Sequence, residues 1–105
     1  MDNRMLIRRL GIPATYKGHF YLAYAIDLVL EDEDCLLMVT KSLYPKIARQ
    51  FQTQARNVER DLRTVVKLCW ERGDRQLFCS LTGYSLPFKP STGEFLDYLA
   101  AYLKR

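Results

Sequence analysis

Residues Leu43–Val66 read LYPKIARQFQTQARNVERDLRTVV, and two helical periods meet inside this stretch. Ile47, Ala48 and Phe51 give apolar spacing behind Pro45. Proline suits the first turn of a helix, where its missing N–H would have had no intrahelical partner. Gln52-Thr53-Gln54 interrupts that period. Val58, Leu62, Val65, Val66 and Cys69 then recur at i, i+4, i+7, i+8 and i+11, the spacing of one buried helix face that begins at Ala55. Arg56, Arg60, Arg63 and Lys67 repeat on another face. Two helices about a short polar turn, the second of them basic, predict a helix-turn-helix.

Charge follows the same boundary. From Leu43 to Lys67 there are six basic residues (Lys46, Arg49, Arg56, Arg60, Arg63, Lys67) against two acids, Glu59 and Asp61. The whole chain has 16 basic and 12 acidic residues, so the excess of +4 lies entirely within this unit. A localised basic stripe favours a polyanion through counterion release. Exposed helices also gather arginine because it is a good helix former. The stripe therefore points to nucleic acid only in combination with the bihelical pattern.

At 105 residues the chain is long enough for one modest core, and it is read as a single domain over 1–105. With 49% hydrophobic and 27% charged residues it has an ordinary globular composition. No apolar run approaches the ~18 residues of a membrane span, and the N-terminus lacks the ~7–15-residue apolar stretch of a secretory signal. A cytoplasmic, nucleoid-associated location is expected, with no membrane partner. Cys35, Cys69 and Cys79 form no C-x-x-C pair, and His19 is the single histidine. Cys69 continues the apolar row of the basic helix and reads as a small core residue. No metal site, cofactor or catalytic residue is assigned, because no glycine-rich phosphate loop, metal-spaced set or nucleophile–base pair is present. The chain is read as a non-enzyme.

Around the central unit the pattern is all-α, about six helices. Met5–Leu10 reads as a short helix ended by Gly11-Ile12-Pro13. Leu22, Ala25, Ile26 and Val29 give a buried helix from Gly18 to Leu30, with Tyr21 and Tyr24 at its edges. Glu31-Asp32-Glu33-Asp34 reads as a solvated loop or an acidic first turn. Cys35–Leu43 either leads into the first helix of the unit or forms its own short helix. Gly73 fits the stop of the basic helix. Gln76–Leu81 reads as a short helix broken by Gly83, Tyr84–Pro90 as a loop, and Ser85–Lys89 as weakly strand-like. Ser91 and Glu94 offer a capping box for a last helix whose apolar face carries Phe95, Leu99, Tyr102 and Leu103.

These residues resemble a specific family. GIPA at Gly11, KGHFYL at Lys17, LYPKIARQF at Leu43, VER at Val58 and WERG at Trp70 follow, in order and at consistent spacing, the C-terminal effector domain of the stage-zero A sporulation response regulators of endospore-forming Firmicutes. Leu81-Thr82-Gly83-Tyr84 and Thr92-Gly93-Glu94-Phe95 continue the match, the latter with one substitution. The resemblance implies a six-helix transcription factor domain on TGTCGAA-type boxes, often in tandem, with a homodimer on such boxes as a partner state. It also implies base reading by Glu59, as acceptor from a cytosine amino group, and by Arg60, as a clasp on guanine. Asn57 stands where the family usually has arginine; asparagine pairs with adenine, so the preferred box is expected to shift. Asp61 stands where the family commonly has a small residue and sets a negative charge beside the contact row. It is expected to weaken binding if it faces a phosphate, and to matter little if it pairs with Arg56 or Lys67. The family's regulator carries a receiver domain ahead of this one, and none is present in 1–105. A free-standing effector and a piece of a longer regulator both remain open.

The leading expectation is therefore sequence-specific binding of double-stranded DNA, with Asn57, Glu59 and Arg60 on bases. Lys46, Arg49, Arg56, Arg63 and Lys67 are the candidates for phosphates. The competing class is a protein-interaction module that docks on RNA polymerase or its sigma factor, or competes with a full-length regulator. Asp74, Arg75 and Gln76 are its contact candidates, because the segment matching Gly73–Leu86 lies near sigma-contacting surfaces in the family.

Overall fold

The computed structural model describes residues 3–83 and 88–104. Six α-helices occur among them, with no strand. They are α1 (Asn3–Arg9), α2 (Lys17–Glu31), α3 (Tyr44–Gln50), α4 (Ala55–Glu71), α5 (Arg75–Thr82) and α6 (Thr92–Leu103). The all-α expectation holds. Tyr84, Ser85, Leu86 and Pro87, on which most of the loop and strand-like readings fall, lie outside the described residues.

The core forms where three long amphipathic helices meet. α2 contributes Leu22, Ala25, Ile26 and Val29, α4 contributes Val58, Leu62, Val65, Val66 and Cys69, and α6 contributes Phe95, Leu96 and Leu99, all buried. α2 packs against both α4 and α6. α5 closes the end of the stack by laying Phe78 flat on Phe95, ring centroids 4.6 Å apart. Burying such side chains stabilises by about 1.5–3 kcal/mol each relative to exposure. The three helices are therefore held mainly by this shared interior. His19 is sealed in as well: Nδ1 lies 3.0 Å from the Ile12 carbonyl, and Nε2 takes a contact from Arg4 Nε at 3.4 Å. It tethers α2 to the turn after α1.

Between α2 and α3 the chain takes two unusual segments, one wound tighter than an α-helix and one wider. A 3₁₀ helix spans Glu33–Met38 and a π-helical turn spans Val39–Leu43. The acidic run is indeed the start of a helical segment. Asp32 caps it by accepting from the Asp34 N–H at 3.0 Å, and Glu33 and Asp34 fill its first turn. The Ser91–Glu94 capping box is also present, with the Ser91 N–H on Glu94 Oε1 at 2.9 Å and the Glu94 N–H on Ser91 Oγ at 3.2 Å.

Glycine decides two close approaches. At Gly18 a Cβ would collide with the Asp61 carbonyl oxygen and stand 2.7 Å from Val65 Cγ1, so α2 crosses α4 at a point with no room for a methyl group. At Gly73 a Cβ would lie 2.5 Å from the Leu10 carbonyl oxygen. The Asp74 N–H donates to that same carbonyl at 3.0 Å. Gly73 does end α4, but by this contact with the turn after α1 and not by a left-handed backbone; the left-handed helix stop is Gly83, φ 75°, after α5. The GIPA and WERG motifs thus meet in space, Gly11 against Gly73.

Candidate nucleic-acid interface

α3 and α4 form the bihelical unit, and they pack on one another. α3 starts with Pro45 in its first turn and ends one residue sooner than the apolar spacing suggests. Phe51 is its C-cap and turns its ring, edge on, towards Tyr21 and Tyr24 at 5.0 and 5.9 Å between centroids. The turn is closed by two backbone bonds, Thr53 N–H to Ala48 C=O at 2.9 Å and Gln52 N–H to Arg49 C=O at 3.4 Å. That pair is a Schellman stop, and Gln52 occupies its left-handed position at φ 54°. Glycine usually fills this place; here a glutamine bears the strain. Gln54 then opens α4 without a side-chain cap.

One face of α4 is sealed by the core residues already named. Its other side exposes Arg56, Glu59, Arg60, Arg63, Thr64 and Lys67. Each residue advances a helix by about 100°, so Arg56, Arg60, Arg63 and Lys67 share one band while Glu59 and Asn57 fall on opposite flanks of it. The two flanks differ. Glu59 borders a hollow with Tyr44, Arg63 and Lys89. Asn57 is half-buried and donates from Nδ2 to Thr53 Oγ1 at 3.2 Å, bracing the turn that precedes it. Asp61 pairs with neither Arg56 nor Lys67 but with Arg60, Nε to Oδ1 at 3.2 Å. The arginine is 62% exposed and the carboxylate 20%, so the guanidinium is largely open to solvent while one donor is occupied. Lys67 sits 3.9 Å from Glu71, a loose i,i+4 pair on the surface. Such exposed pairs contribute about 0–1 kcal/mol and part readily for a better anion. Arg56 and Arg63 form no ion pair among the described residues.

The remaining candidates are distributed unevenly. Arg49 is exposed at the end of α3. Lys46 is half-buried on the side of α3 near Cys35: burial, then Asp32, push the Cys35 thiol above its ordinary range, and Lys46 opposes them. Burial also pushes Cys69 up to about 12, as suits a core thiol. Asp74 and Arg75 both have local partners. Asp74 caps α5 by accepting from the Leu77 N–H at 2.9 Å, and the Arg75 guanidinium stacks over Trp70, 5.0 Å from the ring centroid. Gln76 is exposed beside them. No group of three or more metal-ligating side chains occurs among the described residues, and no helix among them is long and apolar enough to cross a membrane.

Residues 4–103 match the family described as "Sporulation initiation factor Spo0A C terminal". The chain belongs to this family. The Spo0A C-terminal family is that of a regulatory effector domain in sporulation, and membership accounts for the matching motifs from end to end. Several of those motifs are packing devices. The glycines of GIPA, KG and WERG mark the contacts that hold α1 and α2 against α4. Neither Lys89 nor Thr53 carries a signal in the sequence. Each acquires its place only through the fold, Lys89 beside Arg63 and Lys67, and Thr53 beneath Asn57.

Proposed function

We propose that this domain binds double-stranded DNA sequence-specifically and regulates transcription, with the first two turns of α4 entering the major groove. The observation that carries this reading is the exposed band of Arg56, Arg60, Arg63 and Lys67 on a helix whose opposite face is locked into the core. A helix so anchored presents its charges in fixed order, as phosphate positioning requires. Glu59 and Arg60 lie near the start of α4, where helix-turn-helix domains read base edges. Arg60 is taken as the guanine-clasping residue and Glu59 as the acceptor from cytosine. Asn57 contributes first to the turn and reads a base only by giving up its bond to Thr53. Arg49, Arg56, Arg63 and Lys67 are assigned to phosphates, and Lys46 to a secondary role from the side of α3.

Docking on polymerase is the weaker reading, since Asp74 and Arg75 already serve the start of α5 and the Trp70 ring. Pairing of two domains on tandem boxes is compatible with the DNA reading and adds affinity through linked sites. The test is a fluorescence-anisotropy titration of the domain with a TGTCGAA-type duplex and with a scrambled one, across several salt concentrations. Preferred binding of the box that persists at moderate salt is expected. Equal binding of both duplexes that vanishes with salt would reduce the domain to a non-specific polycation.

A further inference from the structure

We propose that Lys89 is a phosphate-holding residue of the DNA interface, completing with Arg63 and Lys67 a cationic groove along the later turns of α4. This rests on the DNA-binding reading above and adds to it a third structural element, the segment that leads into α6. Lys89 lies well beyond the end of α4 at Glu71 in sequence, yet it lines two adjoining hollows with that helix. One, of about 560 Å³, is bordered by Arg63, Thr64, Lys67, Trp70, Glu71 and Lys89. The other, of about 390 Å³, brings Lys89 beside Arg63, Tyr44 and Glu59. Both are open surface grooves, suited to an extended backbone of phosphodiesters.

The position of Lys89 is set firmly from behind. Pro90 follows it and is buried, which fixes the backbone just after the lysine. Ser91 and Glu94 then lock the start of α6 through their reciprocal bonds. Tyr44 of α3 and Thr92 at the start of α6 line the same hollow as Lys89. Lys89 itself is exposed and forms no ion pair among the described residues. Three cations from two elements therefore face one groove; Glu71 lines it too, loosely paired with Lys67, and Glu59 lines the adjoining hollow, so cations outnumber acids across the pair. Like charges lining one groove repel, and an anion laid in the groove relieves that repulsion. A duplex whose base edges meet the start of α4 carries its phosphates past this flank.

The experiment compares the intact domain with Lys89→Ala and with Lys104→Ala, a lysine held by Glu33 on another part of the surface. Binding to the box duplex and to the scrambled duplex is measured against salt, with thermal melting as a check on folding. Each phosphate neutralised contributes a slope of about −0.9 to log K against log salt. Lys89→Ala is expected to flatten the slope by about one unit on both duplexes, leaving the preference between them and the melting curve unchanged. Lys104→Ala is expected to leave the slope as it is. An unchanged slope for Lys89→Ala, in a domain that does bind DNA, would overturn the assignment of Lys89 and leave the α4 reading standing. Equal flattening by both variants would overturn it too, as a mere effect of net charge. Absence of salt-dependent duplex binding by the intact domain would instead remove the functional reading itself.

Discussion

The two ends of α4 are built on different terms. At the rear, Gly73 touches the Leu10 carbonyl and Gly11, with no space for one added methyl group. At the front, the helix follows a glutamine in a left-handed conformation, begins without a side-chain cap, and holds Asn57 and Arg60 by single polar contacts of 3.2 Å. The rear end and the flank against Gly18 belong to the fold. The front end is set on that anchor, and its polar contacts are weak enough to be exchanged for those of a ligand. The contrast explains how one helix serves both as the spine of the core and as the proposed reading surface.

The strongest way to break the contrast is to add a methyl group at the anchored flank. Gly18→Ala forces a side chain into the Asp61 backbone, and overpacking of this kind costs about 1–3 kcal/mol. A clear fall in the urea midpoint is expected, together with faster alkylation of Cys69, whose thiol is otherwise buried and held up to about 12. A Gly18→Ala domain that melts like its parent would mean that α2 and α4 are not pressed together here.

Asn57→Ala probes the front end. It removes the bond to Thr53, and a net loss of about 0.5–1.5 kcal/mol in stability is expected from one hydrogen bond. Thr53→Ala should match that loss if bracing the turn is all that Asn57 does. A change of preferred base in duplex competition, seen for Asn57→Ala and not for Thr53→Ala, would give the residue a reading role as well.

The smallest change runs in the opposite direction. Gln52→Gly relieves a left-handed non-glycine residue, worth about 1–2 kcal/mol, against a greater loss of chain entropy of about 0.5–1 kcal/mol. A net rise in stability of about 0.5 kcal/mol is expected in thermal melting. A fall would show that the Gln52 side chain carries a stabilising contact that outweighs its strain.

Much of the fold could be read from the sequence because its long helices state their period plainly. α4 repeats its apolar residues over 17 residues, and the Ser91–Glu94 box marks the start of α6 in four letters. The segment Glu33–Leu43 was less legible, since an acidic run followed by consecutive apolar residues has neither period 2 nor period 3.6. The turn at Gln52 concealed its geometry by lacking the glycine that normally announces it. The basic face of the site was visible because its members repeat along one helix. Lys89 was invisible for the opposite reason, as only the packing of α6 brings it to Arg63 and Lys67. The pairing of Asp61 with Arg60 was equally hidden, for neighbours in sequence do not ordinarily face one another on a helix.

The most direct test of the central claim is the affinity of Arg60→Ala for the box duplex and the scrambled duplex, measured side by side at one moderate salt concentration. If the front of α4 reads bases, the substitution costs about 1–3 kcal/mol on the box, much less on the scrambled duplex, and narrows the ratio between them. If Arg60→Ala keeps the parent's ratio, even while binding both duplexes more weakly, Arg60 is one more phosphate contact and α4 does not read sequence through it.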